Sequence, residues 1–123
     1  MATLARNKKM AGAARGGPKA LTVAASATIE IGENGYEFIL TAASAVSLAA
    51  TAITAPRKLP GRQIVLIGTS DTNTVTVVHT ATASRASGTI TGTGNVVLGL
   101  DDEVTLKQRT DGSWTIIATN IVA

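Results

Sequence analysis

From residue 21 onward the chain alternates apolar and polar positions with a period of two, the pattern of strands that bury one face. Leu21, Val23, Ala25, Ala27, Ile29 and Ile31 alternate with Thr22, Ala24, Ser26, Thr28 and Glu30. This predicts one long strand over residues 21–31. Gly32, Glu33, Asn34 and Gly35 then turn the chain into a second strand at residues 36–40. The small-residue stretch 41–54 is rich enough in alanine for a helix, yet Val46, Leu48, Ala50 and Ala52 hold the strand alternation and Thr51 and Thr54 favour extended backbone, so it reads as strand.

Residues 55–62 carry Pro56, Pro60 and Gly61 and read as an ordered surface loop. Ile64, Val65, Leu66 and Ile67 form a short buried strand, residues 70–73 a turn, and residues 75–80 its partner. A polar link at 81–87 carrying Arg85, strands at 88–91 and 95–100, and the connector Gly92-Thr93-Gly94 follow. The clearest element spans residues 103–118. Val104, Leu106 and Gln108 share one face before the turn Thr110-Asp111-Gly112-Ser113, and Trp114, Ile116 and Ala118 share one after it. Asp-Gly at the connection predicts a two-residue type I′ hairpin. About eight short strands at a spacing of roughly ten residues predict an all-β fold, an antiparallel β-sandwich or barrel that is jelly-roll-like.

Composition changes this picture in one respect. Of 123 residues 45% are hydrophobic, but many are alanine, and Tyr36, Phe38 and Trp114 are the aromatics. Small side chains remove little area from water, so the core is expected to be weak alone and completed by a homo-oligomer. Trp114 is expected to seal one end of the core, not to face a ligand.

Charge divides the chain. Arg6, Lys8, Lys9, Arg15 and Lys19 make residues 1–20 a basic arm without an acid, while residues 21–123, the body, hold six basic and eight acidic side chains. Gly12, Gly16, Gly17 and Pro18 interrupt the arm, which is expected to be disordered or a short frayed helix over residues 3–14. Such arms bind phosphate backbones or order themselves along acidic protein surfaces. No aromatic interleaves the cations, so base stacking is not offered, and a protein partner is the preferred reading.

Catalytic chemistry finds little to work with. There is no cysteine, and His79 stands alone in a strand pattern. Asp101, Asp102 and Glu103 are consecutive, read as a solvated turn, and lack the spaced oxygen ligands of a Ca²⁺ loop. Residues 88–95 are glycine-rich, but no helix pattern or lysine follows to make a phosphate loop. No enzyme, cofactor or metal is expected. No apolar run is long enough to cross a bilayer and the N-terminus lacks a secretory signal pattern, so a protein made in a cytoplasm, with no membrane partner, is expected.

The series Pro60-Gly61-Arg62-Gln63-Ile64-Val65-Leu66-Ile67, Asn73-Thr74-Val75-Thr76-Val77, residues 97–106 with their acidic turn, and Asp111-Gly112-Ser113-Trp114 resembles β-modules of tailed-bacteriophage virion proteins. The resemblance implies a head decoration (cement) protein, or a tail-fibre part, commonly trimeric. The Met1 start, basic arm and single small body favour decoration. In that reading a trimer lies on the capsid exterior of the virion and bridges capsomers of the major capsid protein. Leu4, Arg6, Lys8, Lys9, Met10, Arg15 and Lys19 of the arm, with Arg57, Lys58 and Arg62 of the loop, are the expected capsid-binding residues. A tail-associated adhesin and a nucleic-acid-binding protein acting through the arm are the alternatives.

Overall fold

The computed structural model describes residues 17–80 and 86–122. The arm positions Leu4, Arg6, Lys8, Lys9, Met10 and Arg15, the expected helix over 3–14, and most of the 81–87 link with Arg85 lie outside the described residues. The described chain is all-β and its strands number eleven, more than the eight or so expected.

Three sheets are wound from the chain in a recurring order. β1 (Lys19–Thr22) lies in a six-stranded sheet and β2 (Ile29–Glu30) in a two-stranded one; β3 (Glu37–Thr41) returns to the first. β4 (Val46–Ser47) enters a three-stranded sheet, β5 (Ile53–Thr54) pairs with β2, and β6 (Gln63–Gly68) returns to the large sheet beside β3. β7 (Val75–Val77) then pairs with β4. Each return lays a strand parallel to its predecessor: Lys19 beside Phe38, Glu37 beside Val65, Ile29 beside Ile53, Val46 beside Val75. The first coil fills its place beside β4 with irregular backbone, the Ser26 N–H donating to Ser47 O and the Ala49 N–H to Ala27 O. These are stacked coils of a solenoid, in which each turn covers the apolar face of the last.

The final strands reverse direction. β8 (Ile90–Thr91) runs the same way as β6 but is separated from it by the hairpin of β10 (Glu103–Gln108) and β11 (Trp114–Asn120), which is inserted between them. β9 (Val96–Leu98) closes the three-stranded sheet antiparallel to β7. Five of the eight strand pairings are parallel, so the sheets are mixed, where an antiparallel arrangement was expected. Parallel neighbours ordinarily need a long crossover. Here a whole coil supplies it without a helix.

The stacked inward positions make the core: Ile29 on Ile53, Phe38 on Leu66 and Val104, Val46 and Leu98 on Val75, Ile64 on Leu106. Ala52 is the one alanine among the fully buried hydrophobics; the others are Val, Ile, Leu, Phe and Trp. Alanines instead occupy exposed corners such as Ala24, Ala25, Ala43 and Ala50. Each buried Leu, Ile or Phe contributes about 1.5–3 kcal/mol relative to an exposed one. The core is therefore built from larger side chains than composition suggested. Trp114 is fully buried, as expected.

Two long strands expected from alternation are broken. Residues 21–31 are split by a turn in which Ser26 takes φ 59° and the Ala27 N–H donates to Ala24 O. Residues 41–54 are split between β4 and β5 by a turn at residues 50–51. Alternation continues through the first break, where Val23, Ala27, Ile29 and Ile31 all face the interior, but at the second the inward positions shift from Val46 and Leu48 to Ile53 and Ala55, with Ala52 and Ile53 buried in succession.

Candidate functional site

Three places carry the exposed or charged residues singled out by the sequence. The first is the loop 55–62. Arg57 pairs with Glu33 at 3.2 Å, both side chains well exposed. Arg62 turns inward, donating from Nη1 to Gly32 O at 2.9 Å and from Nη2 to Gly35 O at 2.7 Å and Ile31 O at 3.5 Å. Its guanidinium thus clamps the turn between β2 and β3. Partial burial pulls its pKa below the usual guanidinium value, and Glu33 opposes that pull. Lys58 reaches toward the hairpin turn at Gly112. Of the three loop cations expected to contact a partner, Arg62 is already engaged within its own chain. Lys19 opens β1 and is exposed, so the body begins inside the stretch read as arm.

The hairpin tip adds cations that sequence reasoning did not single out. Lys107 lies opposite Gln63 and Thr115, and Arg109 donates from Nε to Thr115 Oγ1. The connection also differs from the expected two-residue turn. The Gly112 N–H donates to Arg109 O, the Arg109 N–H to Ser113 O, and Gly112 alone takes positive φ, 86°. A three-residue loop with a left-handed glycine results, since Asp111 keeps negative φ and accepts the Ser113 N–H.

The third place is the turn at residues 99–102, between β9 and β10. Asp102 is buried; its Oδ2 accepts the Gly99 N–H at 2.8 Å and its Oδ1 the Val122 N–H at 2.7 Å. Asp71 Oδ1 accepts the Leu100 N–H at 2.9 Å, and Asp101 takes φ 64°. The acidic run expected to be a solvated turn is a turn, but its central carboxylate works as an internal clamp tying the chain's C-terminal end to the loop. Around it Leu100, Ile121 and Val122 are each about half exposed, with Val97 similarly exposed on β9. The sequence signal for this cluster was available: a leucine on a turn, and an Ile-Val pair after strand alternation has ended.

His79 is exposed, and both its backbone N–H and its ring Nδ1 contact Asn95 Oδ1. The contact pins the connector 92–94 against the end of β7. Among the described residues no group of three or more His, Cys, Asp or Glu could hold a metal ion. A hollow of about 690 Å³ forms a trough along the exposed edge of β1, lined by Lys19, Leu21, Val23, Glu30 and Pro56 among others. No described helix is long and apolar enough to cross a membrane. Compared with protein-family models, curated proteins and solved structures, the chain matches none.

Proposed function

We propose that this is a structural virion protein that decorates and stabilises a bacteriophage capsid by bridging capsomers as a homotrimer. The observation that carries the reading is where exposed apolar surface lies. Val97, Leu100, Ile117, Ile121 and Val122 all belong to the β9–β11 region, and each is about half exposed. Leu100, Ile121 and Val122 gather around the Asp102 clamp, while Ile117 lies beside Lys107 and Arg109. Exposed apolar side chains gathered in this way mark an interface, and closed rings are the usual way for copies of one chain to cover it. The segments that resemble virion β-modules lie on β6, β7, β9 and β10 and end at Trp114, where β11 begins. The jelly-roll-like sandwich that the number and spacing of strands suggested is replaced in this proposal by stacked coils, which suit a protein whose role is mechanical. Added interface raises the barrier to shell rupture without chemistry.

A fibre or tail-spike part is the second reading, and the parallel stack of β1, β3 and β6 favours it, since coils of this kind extend by repetition. Co-sedimentation with empty phage shells, alongside light scattering of the free protein, separates the two. Decoration predicts a trimer that pellets with shells, and loss of pelleting when residues 1–16 are removed while β1 is kept. A trimer that ignores shells but binds host cells overturns decoration in favour of the fibre reading.

A further inference from the structure

The end of the body at residues 99–102 combines exposed apolar side chains with an acidic rim. Leu100, Ile121 and Val122 are brought together there by the Asp102 clamp, with Val97 beside them on β9. Asp71 and Asp101 are exposed at the same turn, and Glu103 opens β10. The described cations lie elsewhere. Arg62, Lys107 and Arg109 stand where β6 starts and β10 finishes, Arg57 and Lys58 in the loop before them, and Lys19 on the edge strand β1. The described cations thus gather at one end of the body, where Glu33, Glu37 and Asp111 also lie, while the 99–102 end holds acidic side chains with no described cation among them.

An occupant fitting the acidic end needs apolar side chains spaced among cations. Residues 1–16 provide Leu4 and Met10 among Arg6, Lys8, Lys9 and Arg15, without an acid. We infer that the acidic, apolar end at residues 99–102 is the docking surface for the N-terminal arm of a second copy of this chain. The arm joins β1 at its start, and β1, β3 and β6 run in the same direction toward the end where β6 meets the 99–102 turn. β1 thus starts at the end of the body opposite its own acidic end. From Gly17 back to Leu4 an extended chain reaches about 43 Å, enough to cross to a neighbour. An arm-to-end contact is head-to-tail, and copies joined this way close into a ring when the rotation allows. This rests on and deepens the self-association in the proposed function.

The chain has no cysteine, so one engineered pair tests it directly. The full-length Leu4→Cys/Leu100→Cys variant, oxidised and run without reductant, should give a ladder of covalent oligomers ending at the mass that light scattering reports. Replacing Arg6, Lys8 and Lys9 by Glu should abolish the ladder. An oligomer that forms no disulfide, or only an intramolecular one, overturns the inference while leaving self-association intact. A monomeric mass overturns the self-association as well. In a second arm, Asp101→Asn with Glu103→Lys, chosen because asparagine tolerates the left-handed backbone at 101, should weaken self-association at least tenfold with an unchanged far-ultraviolet circular dichroism spectrum; undiminished association would overturn the inference.

Discussion

At the scale of single residues, the polar side chains that matter most are those turned inward. Arg62 satisfies three backbone carbonyls around residues 31–35 with one planar fork, which a lysine cannot reproduce. Arg62→Ala and Arg62→Lys should each lower stability by about 1–3 kcal/mol in urea unfolding. If Arg62 served only a partner, both would leave the midpoint unchanged. Asp102 is the second such group. Asp102→Ala leaves the buried Gly99 amide and the part-buried Val122 amide without their acceptor and should cost about 1–3 kcal/mol. Trp114 poses the reverse case, for its Nε1 is buried without an acceptor among the described residues. Phenylalanine removes that donor along with some volume. Trp114→Phe should therefore cost far less than Trp114→Ala, for which about 3–5 kcal/mol is expected from the cavity.

At the scale of elements, corners decide what alternation alone cannot. Ser26 holds φ 59°, a conformation that is strained for a side chain, so Ser26→Gly should be neutral or stabilising by up to about 1 kcal/mol. Gly112→Ala should do the opposite. Its φ is 86° and a Cβ there would stand 2.8 Å from Ser87 Oγ, so a loss of at least about 1 kcal/mol in thermal or urea unfolding is expected. These corners also explain how much of the fold was legible. The all-β class, the shared inward face of Val104, Leu106 and Gln108, and the hairpin ending at Trp114 follow from period two and turn residues, whereas Phe38-Ile39-Leu40 and Ile64-Val65-Leu66-Ile67 are unbroken apolar runs that read as strands without showing which residues point inward. The parallel direction of β1, β3 and β6 does not, because a half-buried strand alternates in the same way whichever direction its neighbour runs. Nor does the splitting of residues 21–31, since Ala24, Ala25 and Ser26 suit a strand and a corner equally. Of the candidate site, the loop cations were legible but their orientation was not. Whether an arginine points out or folds back on carbonyls thirty residues away depends on a coil that wraps above it.

At the scale of the whole molecule, charge and apolar surface make separable contributions to association. The acidic end and the basic arm attract through solvent, and the Debye length falls from about 10 Å at 0.1 M salt to about 3 Å at 1 M. The half-exposed Leu100 and Ile121 bury apolar area, a term that salt does not screen. Raising salt across that range should therefore weaken self-association of the native chain by about tenfold without eliminating it, as read by sedimentation velocity over a concentration series. Leu100→Ser with Ile121→Ser should weaken it at both salt concentrations and leave the salt response intact, because the cations and carboxylates are untouched. Association that does not change with salt would mean that the arm contributes no charge to the contact. Association lost entirely at 1 M salt would mean that the exposed apolar cluster contributes nothing. Either result would break the pairing of charge with apolar anchors on which the contact between copies is argued.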